Sequence, residues 1–122
     1  MAKAFSVAMA VAAGLLAGLV LGGCPGPDAR GPALRTRFES EDPVDRVAAI
    51  RQAAAANDKT ALPALVACLS DSESDVRFFA ISALRTMTGQ DLGYHHYDGE
   101  QARREAANRW REYLQAHPPA RE

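Results

Sequence analysis

SDVRFFAISALRTMTG, residues 74–89, is the stretch that decides the fold. Its apolar residues recur every three or four positions, which is the spacing of one face of an α-helix. Phe78 and Ile81 lie off this stripe, so we expect the helix to bury two sides. We therefore predict that this helix is the central element of an all-α domain and that Gly89, a residue suited to a left-handed conformation, ends it. The stripe consists of Val76, Phe79, Ala80, Ala83, Leu84 and Met87.

A second helix of the same kind precedes this one at an offset of 31 residues. RVAAI at 46–50 aligns with RFFAI at 77–81, with matches at Arg, Ala and Ile. Asp42 followed by Pro43 supplies an N-cap and a first-turn proline, which predict where this earlier helix begins. Between the two copies, cap residues at 57–60 precede a further apolar stripe and predict another helix. That stripe comprises Leu62, Leu65, Val66 and Leu69.

The two copies resemble HEAT-like repeats, in which a helix with spaced leucines precedes a helix that opens with Asp-x-Val-Arg. DVR at 75–77 and AI at 80–81 carry the pattern, although the Asp directly precedes the Val. The first copy reads VDR at 44–46 and is a degenerate end repeat. The resemblance covers residues 42–88 and is closest to the compact repeats also found in phycobilin lyases. It implies that residues 41–117 form a short α-solenoid of about five helices, which binds protein on an extended surface.

A last capped helix is predicted to close this solenoid at its C-terminal end. It opens near Asp98, three residues before Gln101, and Trp110 is expected to cover the open end of the stack. Residues 118–122 are predicted to form a tail. The expected buried face of this helix comprises Ala102, Ala106, Trp110, Tyr113 and Leu114.

The loop before the last helix holds the candidate partner-binding residues of the chain. We expect its tyrosines to pack on the capping helix and its histidines to be exposed. No Cys, Asp or Glu stands at a recognised ligand spacing from the histidines, so no metal site is predicted. Arg77 is a further candidate, either for a partner carboxylate or for an acidic residue at a repeat junction. The loop candidates are Tyr94, His95, His96 and Tyr97.

The N-terminal segment has the pattern of an export signal. After Lys3, residues 5–23 carry no charge, a length that is also sufficient to span a bilayer. LGGC at 21–24 resembles a bacterial lipobox, which implies cleavage before Cys24 and its attachment to diacylglycerol and fatty acyl chains such as palmitate. Residues 1–23 would then be a lipoprotein signal peptide. An uncleaved anchor helix and an ordinary secretory signal are the alternatives, and all three place the rest of the chain outside the cytoplasm.

Residues 24–40 are predicted to be a tether rich in proline and glycine that holds the domain away from the membrane. The lipobox resemblance implies a location in the cell envelope. Pro25 is not the Asp that retains lipoproteins at the inner membrane in some bacteria, and this favours the outer membrane.

Composition narrows the remaining function classes. The 122 residues allow one domain, and 14 basic against 15 acidic side chains argue against nucleic acid as the ligand. Cys68 is expected to be a small buried apolar residue, and no catalytic motif or cofactor site is present. We therefore expect non-catalytic binding of an unidentified protein partner, with self-association through the repeat ends as one form of it. An enzyme or enzyme accessory of the HEAT-like lyase type, or a structural envelope protein without a specific ligand, is the alternative.

Overall fold

The computed structural model describes residues 27–119, which contain five α-helices and no strand. Two 3-10 turns, Lys59–Ala61 and Cys68–Ser70, extend the short third helix at both ends. The predicted all-α solenoid is therefore confirmed. The helices are α1 (Pro27–Phe38), α2 (Pro43–Ala55), α3 (Leu62–Ala67), α4 (Ser74–Thr88) and α5 (Glu100–Ala116).

Helix α4 is the central element, as predicted, because it packs against both α2 and α3. Val76, Leu84 and the off-stripe Ile81 are all buried. Phe78 is instead 46% exposed, which corrects the expectation that both off-stripe residues are buried. The reason is that the side of α4 carrying Phe78 meets the ring of His96 in the following loop, at 5.1 Å between centroids, rather than another helix.

Side-chain caps mark the start of α2 and of the 3-10 turn before α3, and a glycine marks the end of α4. Asp42 Oδ1 accepts a hydrogen bond from Val44 N at 2.9 Å, and Asp58 Oδ1 accepts one from Thr60 N at 3.0 Å, so both predicted caps are confirmed. Gly89 ends α4 with a φ of +70°, a conformation that costs glycine little.

The expectation of an extended tether over residues 24–40 is wrong for the part that forms α1, Pro27–Phe38. Leu34 and Phe38 lie one helical turn apart on α1 and are only 7% and 8% exposed. Both side chains belong to the hydrophobic core, and α1 packs against α2. Burial of these two side chains offsets the backbone donor that Pro32 lacks within the helix. The helical domain therefore begins well before residue 41.

Helix α5 covers the end of the stack with Trp110, which is fully buried, as predicted. The helix begins at Glu100 rather than near Asp98, with Gly99 as an N-cap that makes no side-chain hydrogen bond. Ala102 is exposed, contrary to the predicted buried face. Because the buried stripe runs through both Ala106 and Ala107, the residue beneath it in the first turn is not Ala102 but Arg103, which is half-buried.

Within residues 27–119, no helix combines the length and the apolar character needed to cross a bilayer. The predicted signal peptide, residues 1–23, and the predicted lipidation site Cys24 lie outside the described residues, as do residues 120–122 of the predicted tail.

Candidate functional site

The loop between α4 and α5 is anchored to the core by Tyr94. This side chain is fully buried, and its hydroxyl donates a hydrogen bond of 2.6 Å to the carbonyl oxygen of Leu69. Arg85 Nη2 donates to the carbonyl oxygen of Tyr94 at 2.8 Å. Burial raises the pKa of Tyr94, so its hydroxyl remains a donor at neutral pH. The loop is therefore held at Tyr94 through both the side-chain hydroxyl and the backbone carbonyl oxygen.

The start of the same loop is a tight turn tied to both flanking helices. Asp91 Oδ1 accepts from Gly93 N at 3.1 Å and lies 3.5 Å from Arg85 Nη2 on α4. The hydrogen bond from Gly93, followed by the charge of Arg85, lowers the pKa of Asp91. Arg109 of α5 donates to the carbonyl oxygen of Leu92 at 2.8 Å. Gly93 has a φ of +75°, which explains why glycine is found there.

Arg77 supports the loop from below and is itself only 8% exposed. Its Nη1 donates to the carbonyl oxygens of Asp71 and Ser72 at 2.8 and 2.9 Å, and its Nε donates to that of His96 at 3.3 Å. Within residues 27–119, its Nη2 donates no hydrogen bond and its guanidinium forms no ion pair. The ion pair expected for Arg77 at a repeat junction is therefore not made by this residue.

That junction ion pair is made by Arg46, the residue that aligns with Arg77 in the first repeat. Arg46 holds the Asp71 carboxylate with both arms of its guanidinium fork, Nε to Oδ2 at 2.8 Å and Nη2 to Oδ1 at 2.9 Å. Its Nη1 donates to the carbonyl oxygens of Ser40 and Glu41 at 2.7 and 3.1 Å. The hydrogen bond to Asp71 raises the pKa of Arg46.

A cluster of rings lies above Arg77 and Tyr94, and we call it the aromatic patch; Phe78 and Tyr97 are its exposed members and the other rings are half-buried. The His96 ring meets Phe78 edge to face at 5.1 Å and Tyr97 at 5.2 Å, while His95 stacks on Tyr97 at 5.3 Å. Tyr97 is 71% exposed. The aromatic patch consists of Phe78, Phe79, His95, His96 and Tyr97.

The structure thus brings the loop candidates together but distributes them differently from the prediction. Tyr94 is buried, as expected, whereas Tyr97 points to solvent, and His95 and His96 are half-buried rather than exposed. The histidine rings are engaged by neighbouring aromatic rings. No group of three or more His, Cys, Asp or Glu residues suited to a metal ion occurs in the part of the chain that the structure describes.

A second feature is a cleft of about 720 Å³ between α1 and the α3 region, with Phe38, Ala64 and Cys68 in its walls. Cys68 is buried, as predicted, and burial raises the pKa of its thiol to about 11. At neutral pH the thiol is therefore protonated and a poor nucleophile. Its surroundings are those of a core residue.

The comparisons with known proteins identify the repeats. A family model described as HEAT repeats matches residues 31–94, just over half of the chain. The chain belongs to the HEAT-repeat family. No curated protein and no solved structure matches it.

The HEAT-repeat match begins inside α1 and ends at Tyr94, so it includes both Arg46 and Arg77. Stacked helical repeats present extended surfaces to protein partners, which agrees with a site made of exposed rings rather than an enclosed pocket. Phe79 was missed as a site residue because the apolar stripe of α4 assigns it to the core, and Phe78 was missed because we expected α4 to bury a second side. Asp71 was missed as the partner of Arg46, although the repeat offset of 31 residues aligns the turn before α4, which contains Asp71, with the turn before α2.

Proposed function

We propose that the protein is a lipid-anchored, extracytoplasmic component of the cell envelope whose HEAT-repeat domain binds a protein partner through the aromatic patch. The observation that carries this proposal is the exposure of Phe78 and Tyr97 above a buried support. Large rings at the surface of a small domain are typical of the residues that dominate binding energy at protein interfaces.

The rigid support is what makes the patch suited to binding. Tyr94 and Arg77 fix the backbone on either side of His95, so the rings are held in place before a partner arrives. A partner therefore meets a surface whose conformational entropy is already restricted. A mobile loop with the same residues would lose part of the binding free energy to ordering.

The anchor is supported by the sequence, through LGGC at 21–24 and the charged start at Lys3. Several acyl chains attached at Cys24 would hold the domain stably at a membrane. Pro25 after the cysteine supports the outer membrane as the location.

The patch is tested by crosslinking in intact cells. A photoreactive p-benzoylphenylalanine at Tyr97 is expected to crosslink one discrete protein, because this side chain is 71% exposed and contacts the rings of both histidines. The same probe at Arg111, which is exposed on α5, serves as the matched control. The crosslink should disappear when Phe78→Ala is added. Equal labelling from both positions, or no labelling from Tyr97, would contradict the proposal, and a crosslink to a second copy would identify self-association instead.

The anchor is tested separately by Cys24→Ser. The variant is expected to lose acyl labelling with a palmitate analogue and to remain uncleaved. If the variant is processed and located like the native chain, the lipoprotein proposal is wrong, and residues 5–23 act as an ordinary secretory signal or as a spanning anchor.

A further inference from the structure

A second and smaller pocket, of about 360 Å³, lies between the turn before α4 and the first turn of α5. Three arginines, Arg77, Arg103 and Arg104, contribute to its walls together with two carboxylates, Asp71 and Glu100. Arg77 belongs to the wall of this pocket and also donates through Nε to the carbonyl oxygen of His96, a residue of the aromatic patch.

We propose that this pocket binds a carboxylate, donated by an Asp, a Glu or the C-terminus of the protein partner, with Arg77 Nη2 as its principal donor. Arg77 is more than nine-tenths buried, and its other two nitrogens are already engaged by carbonyl oxygens. Nη2 is left without a partner among the described residues. Nη2 is not among the buried unpaired atoms of the described residues, so it is an accessible donor that a buried side chain holds in place for an external acceptor.

The molecule itself contains the precedent for this acceptor. Arg46 occupies the same place in the first repeat, and its Nη2 donates to a carboxylate oxygen of Asp71 at 2.9 Å. Both arginines use Nη1 in the same way, on two carbonyl oxygens of the turn before their helix. What the second repeat lacks is the carboxylate that a following repeat would supply.

The charges of the pocket favour an anion. Glu100 is paired with Arg104 at 2.7 Å, and Asp71 is paired with Arg46, so Arg77 and Arg103 have no carboxylate partner among residues 27–119. The first turn of α5 adds backbone N–H groups, because its N-cap Gly99 supplies no capping side chain.

The test is an NMR titration of the full chain in detergent micelles. The probe is N-acetyl-aspartate N-methylamide, and N-acetyl-asparagine N-methylamide is its uncharged match. We expect the aspartate probe to shift the Arg77 Nε–H signal and the backbone amide of Glu100, and the asparagine probe to leave both unchanged. No shift at about 100 mM, which saturates a site with a Kd near 1 mM, would overturn the proposal. Tighter saturation of the same signals by inorganic phosphate would also overturn it.

Variants separate the pocket from a general effect of charge. Arg103→Gln is expected to raise the Kd of the aspartate probe roughly tenfold, because a charged donor is lost. Glu100→Gln is expected to lower the Kd of the aspartate probe about threefold, because an exposed negative charge that repels the probe is removed. Arg111→Gln, on the outer face of α5, should change nothing, and an equal loss in this variant would contradict a local site.

The proposal rests on the proposed function only in taking the carboxylate from a protein partner. The titration needs no protein partner. If the titration shows no binding while the crosslink at Tyr97 is intact, only the carboxylate-site proposal is refuted. If the titration shows binding but no crosslink forms, the proposed protein partner at the aromatic patch is refuted and the carboxylate site is supported.

Discussion

The two repeats place an arginine at the same position, and the two arginines have different partners on one side only. On the near side, Arg46 Nη1 donates to the carbonyl oxygens of the turn before α2, and Arg77 Nη1 does the same for the turn before α4. On the far side, Arg46 holds the carboxylate of Asp71, whereas Arg77 donates, within the described residues, only to the carbonyl oxygen of His96.

The difference separates contacts made within a repeat from contacts made between repeats. The near-side contact recurs because the arginine and the turn belong to one sequence unit. The far-side contact depends on the next unit, which for Arg77 is the loop that carries the aromatic patch. In the second repeat, the arginine therefore supports the loop of the aromatic patch instead of an ion pair between repeats. The buried Arg77 connects α4 to the candidate site.

The largest expected effect comes from breaking the first junction. Arg46→Ala leaves the Asp71 carboxylate, whose side chain is 11% exposed, without its cation, and should lower the free energy of unfolding by about 3 kcal/mol. Urea unfolding of the full chain followed by circular dichroism measures the loss. The double variant Arg46→Ala with Asp71→Ala should recover part of it, because no charge is then left unpaired. A double variant less stable than Arg46→Ala would show that the pair is not the source of the effect.

Breaking the second junction should cost less. Arg77→Ala removes donors to three carbonyl oxygens but leaves no carboxylate unpaired, so we expect a loss of about 2 kcal/mol. The same urea measurement checks it, and the amide signals of residues 94–97 should broaden because the loop loses its support. A loss greater than that of Arg46→Ala would reverse the comparison.

Alkaline pH distinguishes the two junctions through Cys68, which lies beside Asp71 and Arg46. Burial raises the pKa of this thiol from its ordinary value of 9.0 to about 11, and the charge of Asp71 adds to the effect. A raised pKa in the folded state means that the stabilising contribution is complete below pH 9 and is lost as the pH rises towards 11. We expect a loss of about 1.5 kcal/mol over this range.

The control for this prediction is Cys68→Ala measured beside Tyr94→Phe. The alanine variant should lose less stability between pH 9 and pH 11 than the native chain, although it begins less stable. Tyr94→Phe removes the other buried group with a raised pKa and isolates the contribution of the second junction. Identical pH profiles for the native chain and Cys68→Ala would rule out the thiol as the source.

The sequence predicts the repeat itself well, because its signals are local. The stripe of α4 and the caps Asp42 and Asp58 each depend on residues within one or two turns, and the structure confirms them. Helix α1 was missed because proline and glycine dominate the local pattern of its segment. The stabilising contacts of Leu34 and Phe38 are made with residues distant in the chain.

The candidate site is less predictable for a related reason. The loop residues 94–97 are recognisable as a cluster, but which ring is buried depends on the carbonyl oxygen of Leu69, which the tyrosine hydroxyl reaches only after folding. Phe78 shares the apolar character of the core residues around it. Its exposure follows from the loop, rather than a helix, that lies against this side of α4, and a periodic pattern does not contain that information.

The smallest expected effect concerns the ion pair that the second junction does have, Arg85 with Asp91. It is exposed, with side chains 37% and 64% accessible, so water screens it where the Arg46 pair is shielded. The pKa of Asp91 is lowered chiefly by the N–H of Gly93, and this stabilisation is present above pH 3.8 and lost as the pH falls through the lowered value. Asp91→Asn should therefore leave the unfolding midpoint at pH 7 nearly unchanged, since an asparagine oxygen still accepts from Gly93. A loss comparable to that of Arg46→Ala would mean that charge at the second junction matters as much as at the first, and would place the origin of loop rigidity in Arg85 rather than in Arg77.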